Sequence, residues 1–576
     1  MTSPKPDSAS ADLPTSSPSI ERRAWIKQAA AVVGGAAAAV TGGVVDGGEA
    51  VSAQAPAAGT AGTRVATPAA GIVETTSGRV RGYTRNGVYI FKGIPYGETT
   101  EGAARFQPAV PAKPWTGVRS STSWGPVCPS GPRAGWRNDE EQFLYQWDDG
   151  FPGEDMLRLN VWTPAVGGTT RRPVLVWIHG GGFVSGSSQE LRPYDGENLA
   201  RRHNAVLVSM NHRLNVFGFL DLSQIGGEKY ATSANVGMLD LVLALQWIRD
   251  NIARFGGDPS NVTIFGQSGG ARKVSTLLAM PAARGLFHRA AVFSGSHLRQ
   301  IAPDVSARLA AAVLQELGLA AADIGRLHQV PTSVLLNAAL DAQRKLAAAT
   351  PAGATAPNWG PVVDGRVLPQ HAFDPAAPAI SASVPMLIGN TFCEFGGGVN
   401  NPTAHEMTLD QLRERLQPTV GARANEVIAA YQKVFPAAKP FEIWGVIVGT
   451  RSYRQAAVTQ AELKAAGNAA PAYMYWFGWK TPVLDGRPLA YHCQDLAFWF
   501  DNIDLAAQAT GGTPDAHALA TKMSRALVAF ARSGDPNHPG LPRWEPFTAT
   551  GRATMIFENE RAVVRNDPDR EARALI

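Results

Sequence analysis

The chain has 576 residues, 45% of them hydrophobic and 18% charged, a balance that supports a large apolar core and excludes wholesale disorder, a collagen-like repeat and a long coiled coil. Its 53 Lys and Arg against 48 Asp and Glu leave a net charge of +5 with no basic block of the kind that tracks phosphates, so no nucleic-acid partner is expected. Three cysteines are too few for a disulfide scaffold or a thiolate zinc site, and the odd number leaves at least one without a partner in its own chain.

Residues 1–19 are polar and rich in Ser, Pro and Asp, and Glu21-Arg22-Arg23-Ala24-Trp25-Ile26-Lys27 follows. The 18 residues from Gln28 to Val45 carry no charge, and Val51-Ser52-Ala53-Gln54-Ala55 offers a small-x-small cleavage site. A charged start, an apolar stretch and such an end make a secretory signal over 1–55, and the paired arginines give it the twin-arginine form. The uncharged run is rich in Ala and Gly and weakly apolar, so no stable membrane span is expected after processing. Residues 56–71 read as a flexible leader. An exported protein, periplasmic or secreted, is expected.

Residues 72–576 read as one domain. From residue 172 short apolar runs alternate with helical stretches. Val174–Ile178, Ala205–Met210 and Val262–Phe265 are apolar on both faces, which suits strands buried on both sides in a parallel sheet. Between the last two, Leu239, Val242, Leu245, Ile248 and Ile252 recur at steps of three and four, predicting a helix over Met238–Phe255. Further strands are expected at Ala290–Phe293, Pro385–Ile388, Tyr473–Phe477 and Thr554–Phe557. The alternation predicts an α/β fold with a large, mostly parallel sheet flanked by helices. Alanine-rich segments around 304–350 and 408–470 read as helical insertions over the site.

Chemistry concentrates in two glycine-rich turns. Phe265-Gly266-Gln267-Ser268-Gly269-Gly270 matches G-x-S-x-G directly after a strand and before a helical run at Arg272–Met280. A sharp turn there lifts the Ser268 hydroxyl off the strand end, and the glycines let the strand and helix backbones approach. Upstream, His179-Gly180-Gly181-Gly182-Phe183 ends strand Val174–Ile178. Three successive glycines free backbone N–H groups to converge on the negative oxygen of a tetrahedral intermediate. A serine hydrolase also needs an acid and then a histidine downstream of the serine. Composition leaves His297, His328, His371, His405, His492, His517 and His538 open for the base.

Ordered motifs along residues 72–560 resemble the type-B carboxylesterases, the cholinesterase-like α/β-hydrolases, and among them the bacterial para-nitrobenzyl-esterase-like members. They are Phe91-Lys92-Gly93-Ile94-Pro95-Tyr96, Glu154-Asp155-Met156-Leu157-Arg158-Leu159-Asn160-Val161, Asn211-His212-Arg213-Leu214, Phe255-Gly256-Gly257-Asp258-Pro259, Phe293-Ser294-Gly295-Ser296 and Arg532-Ser533-Gly534-Asp535-Pro536-Asn537. The resemblance implies an α/β-hydrolase fold and ester hydrolysis. It assigns Glu394, in Leu387-Ile388-Gly389-Asn390-Thr391-Phe392-Cys393-Glu394, as the acid. It assigns His492, in Ala490-Tyr491-His492-Cys493-Gln494-Asp495-Leu496, as the base. Ser268 is then the nucleophile, and Gly181, Gly182 and Gly269 supply the oxyanion-hole amides.

Three departures from the family pattern stand out. Gln267 replaces the usual Glu before the nucleophile, which removes a negative charge and disfavours choline-like cationic esters. Cys128 matches a family disulfide cysteine whose partner position holds Met156, so that loop disulfide is lost. The loop 129–155, carrying Trp136 and Trp147, is expected as a mobile aromatic wall. Cys393 and Cys493 flank the assigned acid and base, and a disulfide between them would pin the two catalytic loops. Together these features predict an exported serine carboxylesterase that works through an acyl-enzyme on a small-molecule ester, with no cofactor and no metal. Oligomeric state stays open. The alternatives are an amide, carbamate or lactam hydrolase with the same triad, or a non-catalytic interaction protein, which the intact triad disfavours.

Overall fold

The computed structural model describes residues 64–67, 71–131, 138–351, 354, 356–559 and 561–576. The signal segment 1–55 and Trp136 lie outside the described residues.

Among the described residues fifteen strands follow one another: β1 (Arg64–Val65), β2 (Ile72–Thr75), β3 (Gly78–Arg81), β4 (Tyr83–Arg85), β5 (Val88–Pro95), β6 (Val118–Ser120), β7 (Arg158–Thr163), β8 (Arg172–Ile178), β9 (Val206–Met210), β10 (Gly257–Gln267), β11 (Arg289–Phe293), β12 (Met386–Thr391), β13 (Ala472–Phe477), β14 (Ala553–Phe557) and β15 (Ala562–Asn566). β2, β3 and β6 form a small separate sheet, and the other twelve form one sheet in the order β1-β4-β5-β7-β9-β8-β10-β11-β12-β13-β14-β15. Within the large sheet every neighbour from β9 through β8 to β14 is parallel, while its other strands pair antiparallel. All seven strands expected from the apolar runs fall in the parallel block. β1 draws Arg64 and Val65 into register with Arg85 and Thr84, so the expected leader over 56–71 is not wholly outside the fold. The open edge of β4 offers unpaired backbone groups, and two residues suffice to take them.

The parallel strands are buried on both faces, and each face has its own core. Val174, Val176 and Ile178 of β8 point into one core with Val206, Val208, Val262 and Ile264. Leu175 and Trp177 point into the other with Leu207, Phe265 and Phe293. This is the two-residue period of a strand written in apolar side chains on both sides. The helix expected over Met238–Phe255 runs as α-helix from Val236 to Asn251 and continues as a 3-10 turn to Phe255. Its buried residues go beyond one stripe: Leu241 and Ala244 are buried while Leu239 is only partly so, and Asp240 is buried against Arg213. Neighbours cover the helix from several sides, so the apolar period marks only part of its buried surface.

The stretches around 304–350 and 408–470 are largely helical. The first comprises Pro303–Glu316, a 3-10 segment Ala321–His328 and Thr332–Ala349. The second comprises Leu409–Val420, Ala424–Val434, Pro440–Gly449 and Gln455–Ala466, with a π-helical turn Thr450–Arg454 joining the last two. The residues of interest follow the carboxyl ends of β8, β10, β11, β12 and β13, where open parallel sheets place their ligand sites.

Candidate active site

Ser268 links the end of β10 to helix Gly269–Leu277 with φ 56° and ψ −122°, a left-handed conformation that side-chain-bearing residues avoid. The surrounding backbone holds it there. The Ser268 N–H donates to the Phe293 carbonyl at 2.9 Å, and the Arg272 N–H donates to the Ser268 carbonyl at 3.1 Å. A Cβ on Gly270 would sit 1.9 Å from the Ile178 carbonyl oxygen, and one on Gly269 would sit 2.2–2.4 Å from the Gly182 backbone. Only glycine lets β8, the turn and the helix come this close. The sequence expectation of a strand–turn–helix setting for Ser268 agrees with this geometry.

The glycine run lies against the same turn. Gly181 and Gly182 take φ 77° and 66°. The Gly181 carbonyl accepts from the N–H groups of Val184 and Ser185, whereas the N–H groups of Gly181 and Gly182 donate to no acceptor among the described residues. Unspent donors beside a strained serine are what an oxyanion hole requires.

Glu394 and His492 come together from two loops. The His492 imidazole Nδ1 is hydrogen-bonded to Glu394 Oε2, and both side chains are almost fully buried. Glu394 Oε1 accepts from Ser294 Oγ at 2.7 Å and from the Thr391 N–H at 2.9 Å. With Nδ1 committed to the carboxylate, Nε2 is the nitrogen free to exchange a proton. None of the other six downstream histidines contacts Glu394 in an ion pair.

The imidazole is enclosed on several sides. Tyr453 stacks on it with ring centroids 5.1 Å apart, and Phe395 lies 4.3 Å away. The Gln267 amide nitrogen is 3.3 Å from Nδ1 and 3.2 Å from Nε2. Since Gln267 precedes Ser268 in the chain, this contact brings the serine turn to the histidine. Burial pushes the pKa of the Tyr453 phenol up to about 12, opposed in part by the Ser268 hydroxyl. Tyr453 sits on the π-helical turn, a distortion that re-aims a side chain at a local cost. From the opposite side of the loop, the Tyr145 O–H donates to the His492 carbonyl at 2.9 Å.

The cysteine expectation is corrected. Cys128, Cys393 and Cys493 are all free thiols. The Cys493 thiol turns to Gln267 Oε1 at 3.2 Å, while the Cys393 sulfur lies beside Gly445. The acid and histidine loops are joined instead by backbone bonds, from the Cys393 N–H to the Ala490 carbonyl at 3.1 Å and from the His492 N–H to the Glu394 carbonyl at 3.0 Å. Cys128 is buried and accepts from the Leu214 N–H at 3.3 Å. Where the family disulfide would close the 129–155 loop, Arg105 pairs with buried Glu154, Nε to Oε2 at 2.7 Å. Trp147 stacks on Tyr145 at 4.9 Å, so it backs the histidine loop through that tyrosine.

Sequence reasoning passed over Ser294, Tyr453, Phe395, Tyr145 and Asp495. Ser294 stood inside a quoted motif, and its place after a strand end was the signal available. Tyr453 carries no local signature, because a π-turn is set by packing.

A mostly parallel sheet, helices on its faces and a strained serine turn at its carboxyl edge define an α/β-hydrolase. A sequence profile described as the Carboxylesterase family matches residues 69–574. The chain is 34% identical to the para-nitrobenzyl esterase of Bacillus subtilis, over 87% of this chain and 97% of that protein. It is also 34% identical to the phenmedipham hydrolase of Pseudarthrobacter oxydans, over 86% and 97%. Among solved structures it is similar to an esterase from anaerobic Clostridium hathewayi that can hydrolyze aliphatic aromatic polyesters, with a TM-score of 0.77, 35% identity and coverage of 89% of this chain and 99% of that one. The protein belongs to the carboxylesterase family and is a carboxylic-ester hydrolase.

Proposed function

We propose that the protein is an exported serine carboxylesterase that cleaves small-molecule esters through an acyl-enzyme, with Ser268, His492 and Glu394 as its triad. The observation that carries this reading is the strained Ser268 turn, joined through Gln267 to an imidazole whose Nδ1 is held by Glu394. Ser268 Oγ attacks the ester carbonyl carbon as its proton passes to His492 Nε2. The carbonyl oxygen gains negative charge and is met by the N–H groups of Gly181, Gly182 and Gly269. The intermediate collapses, the imidazolium gives its proton to the departing alkoxide, and the alcohol leaves. Water then attacks the acyl-serine, losing a proton to His492 Nε2, and that proton returns to Ser268 as the acid departs. Glu394, steadied by Ser294 and Thr391, fixes the tautomer and stabilises the imidazolium.

Neutral Gln267 beside Ser268 favours uncharged over cationic ester groups. Export rests on the twin-arginine segment and the cleavage site before Pro56, and the family profile begins beyond both, at residue 69. An Ala substitution at Ser268 is expected to lower ester turnover by about a thousandfold or more, and an organophosphate should label Ser268 in the unmutated enzyme. Normal turnover by the Ser268→Ala variant would overturn the triad. Mass spectrometry of protein recovered outside the cytoplasm should find a mature chain starting near residue 56.

A further inference from the structure

Helix Gly269–Leu277 carries a lysine at a position the triad does not use. Lys273 is fully buried and forms no ion pair among the described residues. Its Nζ donates to the carbonyl oxygens of His179 at 3.1 Å and Gly180 at 3.4 Å. The Phe183 ring closes one side, 5.9 Å from Nζ. Burial draws its pKa down to about 7, opposed by the Glu190 carboxylate and then by Cys128, and burial, with the Lys273 charge adding to it, pulls the His212 imidazole down. Packing alone does not explain this residue, since an apolar side chain of the same length would fill the space without burying an ammonium.

The two carbonyls it touches are informative. The His179 carbonyl shares a peptide unit with the Gly180 N–H, and the Gly180 carbonyl shares one with the Gly181 N–H. A charged donor on a carbonyl polarises the whole amide and makes the N–H at its far end a stronger donor. Glycines at φ 77° and 66° hold no preference for that conformation, so the loop needs an outside restraint. Lys273 supplies one from a helix that begins immediately after Ser268.

We infer that Lys273 is a positioning residue of the oxyanion hole, polarising the Gly181 N–H through the Gly180 carbonyl and holding the loop in place through the His179 carbonyl as well. The inference rests on the proposed role of Gly181 as an oxyanion donor. Because the oxyanion exists only after attack, the effect belongs to the transition state and not to ester binding.

Lys273→Met keeps length and apolar bulk and removes the charge. Its kcat is expected to fall about tenfold or more with KM within about threefold of the unmutated enzyme. Affinity for a trifluoromethyl ketone, which forms a tetrahedral oxyanion on Ser268, should fall by the same factor. A folded Met variant whose kcat and ketone affinity stay within about twofold of the unmutated enzyme would overturn the inference, as would a loss confined to KM. If the Met variant fails to fold, Lys273→Gln is judged by the same two measurements. Ser268→Ala runs in parallel. Turnover by that variant removes the triad itself, whereas an inactive Ser268→Ala beside an unaffected Lys273 variant removes only the role of Lys273.

Discussion

Asp495 lies three residues beyond His492, fully buried, with Oδ2 accepting from the Tyr475 O–H at 2.7 Å and Oδ1 lacking a hydrogen-bond partner. Burial, with Glu394 adding to it, pushes its carboxyl up to about 7. The folded state thus holds a proton that the unfolded chain releases near the ordinary Asp value. Stability from this group is complete below the unfolded pKa and is lost as pH rises through the folded one. Asp495→Asn keeps the acceptor for Tyr475 and abolishes the titration. Urea unfolding should find the two proteins similar near about pH 4 and the Asn variant more stable by about 2–4 kcal/mol near about pH 8. A difference that does not change with pH would show that Asp495 titrates normally. Ser294 bears on rate instead. Ser294→Ala leaves Glu394 Oε1 with the Thr391 N–H alone, and kcat should fall about three- to tenfold with the fold intact, as checked by thermal melting.

At the scale of elements, the serine turn is a three-body contact of β8, β10 and the helix after Ser268. A Gly270→Ala side chain would overlap the backbone carbonyl of Ile178, which no rotamer can relieve. Destabilisation by more than about 3 kcal/mol is expected, measured as loss of soluble yield and a lower Tm. This contact was legible in the sequence because each partner writes its own signal: an apolar run, then glycines. The seven parallel strands were legible for the same reason, being buried on both faces. β4 and β15 were not, since their residues are mostly half-exposed and carry no apolar period. Glu394 and His492 have no local pattern, and only resemblance to relatives selected them from the carboxylates and histidines available. The π-turn under Tyr453 lies further still from sequence, because it follows from how helix Pro440–Gly449 must join helix Gln455–Ala466 in three dimensions.

Taken as a whole, the molecule holds distant loops together by buried polar pairs and backbone bonds, not by covalent links. Arg105–Glu154 ties the first loop, and the Cys393-to-Ala490 and His492-to-Glu394 backbone bonds tie the Glu394 and His492 loops. Adjacent cysteines beside the acid and base suggested a bridge, but Cys493 adopts φ 71° and spends its thiol on Gln267. This has a measurable consequence. A Cys393–Cys493 disulfide would close a loop of 100 residues, which in the chain-entropy description is worth about 4–5 kcal/mol, or several degrees of Tm in a chain of this size. With three free thiols, unfolding in dithiothreitol and in its absence should give the same Tm within about 1 °C, and esterase activity should be equally indifferent. A reductant-induced drop of several degrees that is absent from Cys393→Ala would restore the bridge and require the acid and histidine loops to be rebuilt around it.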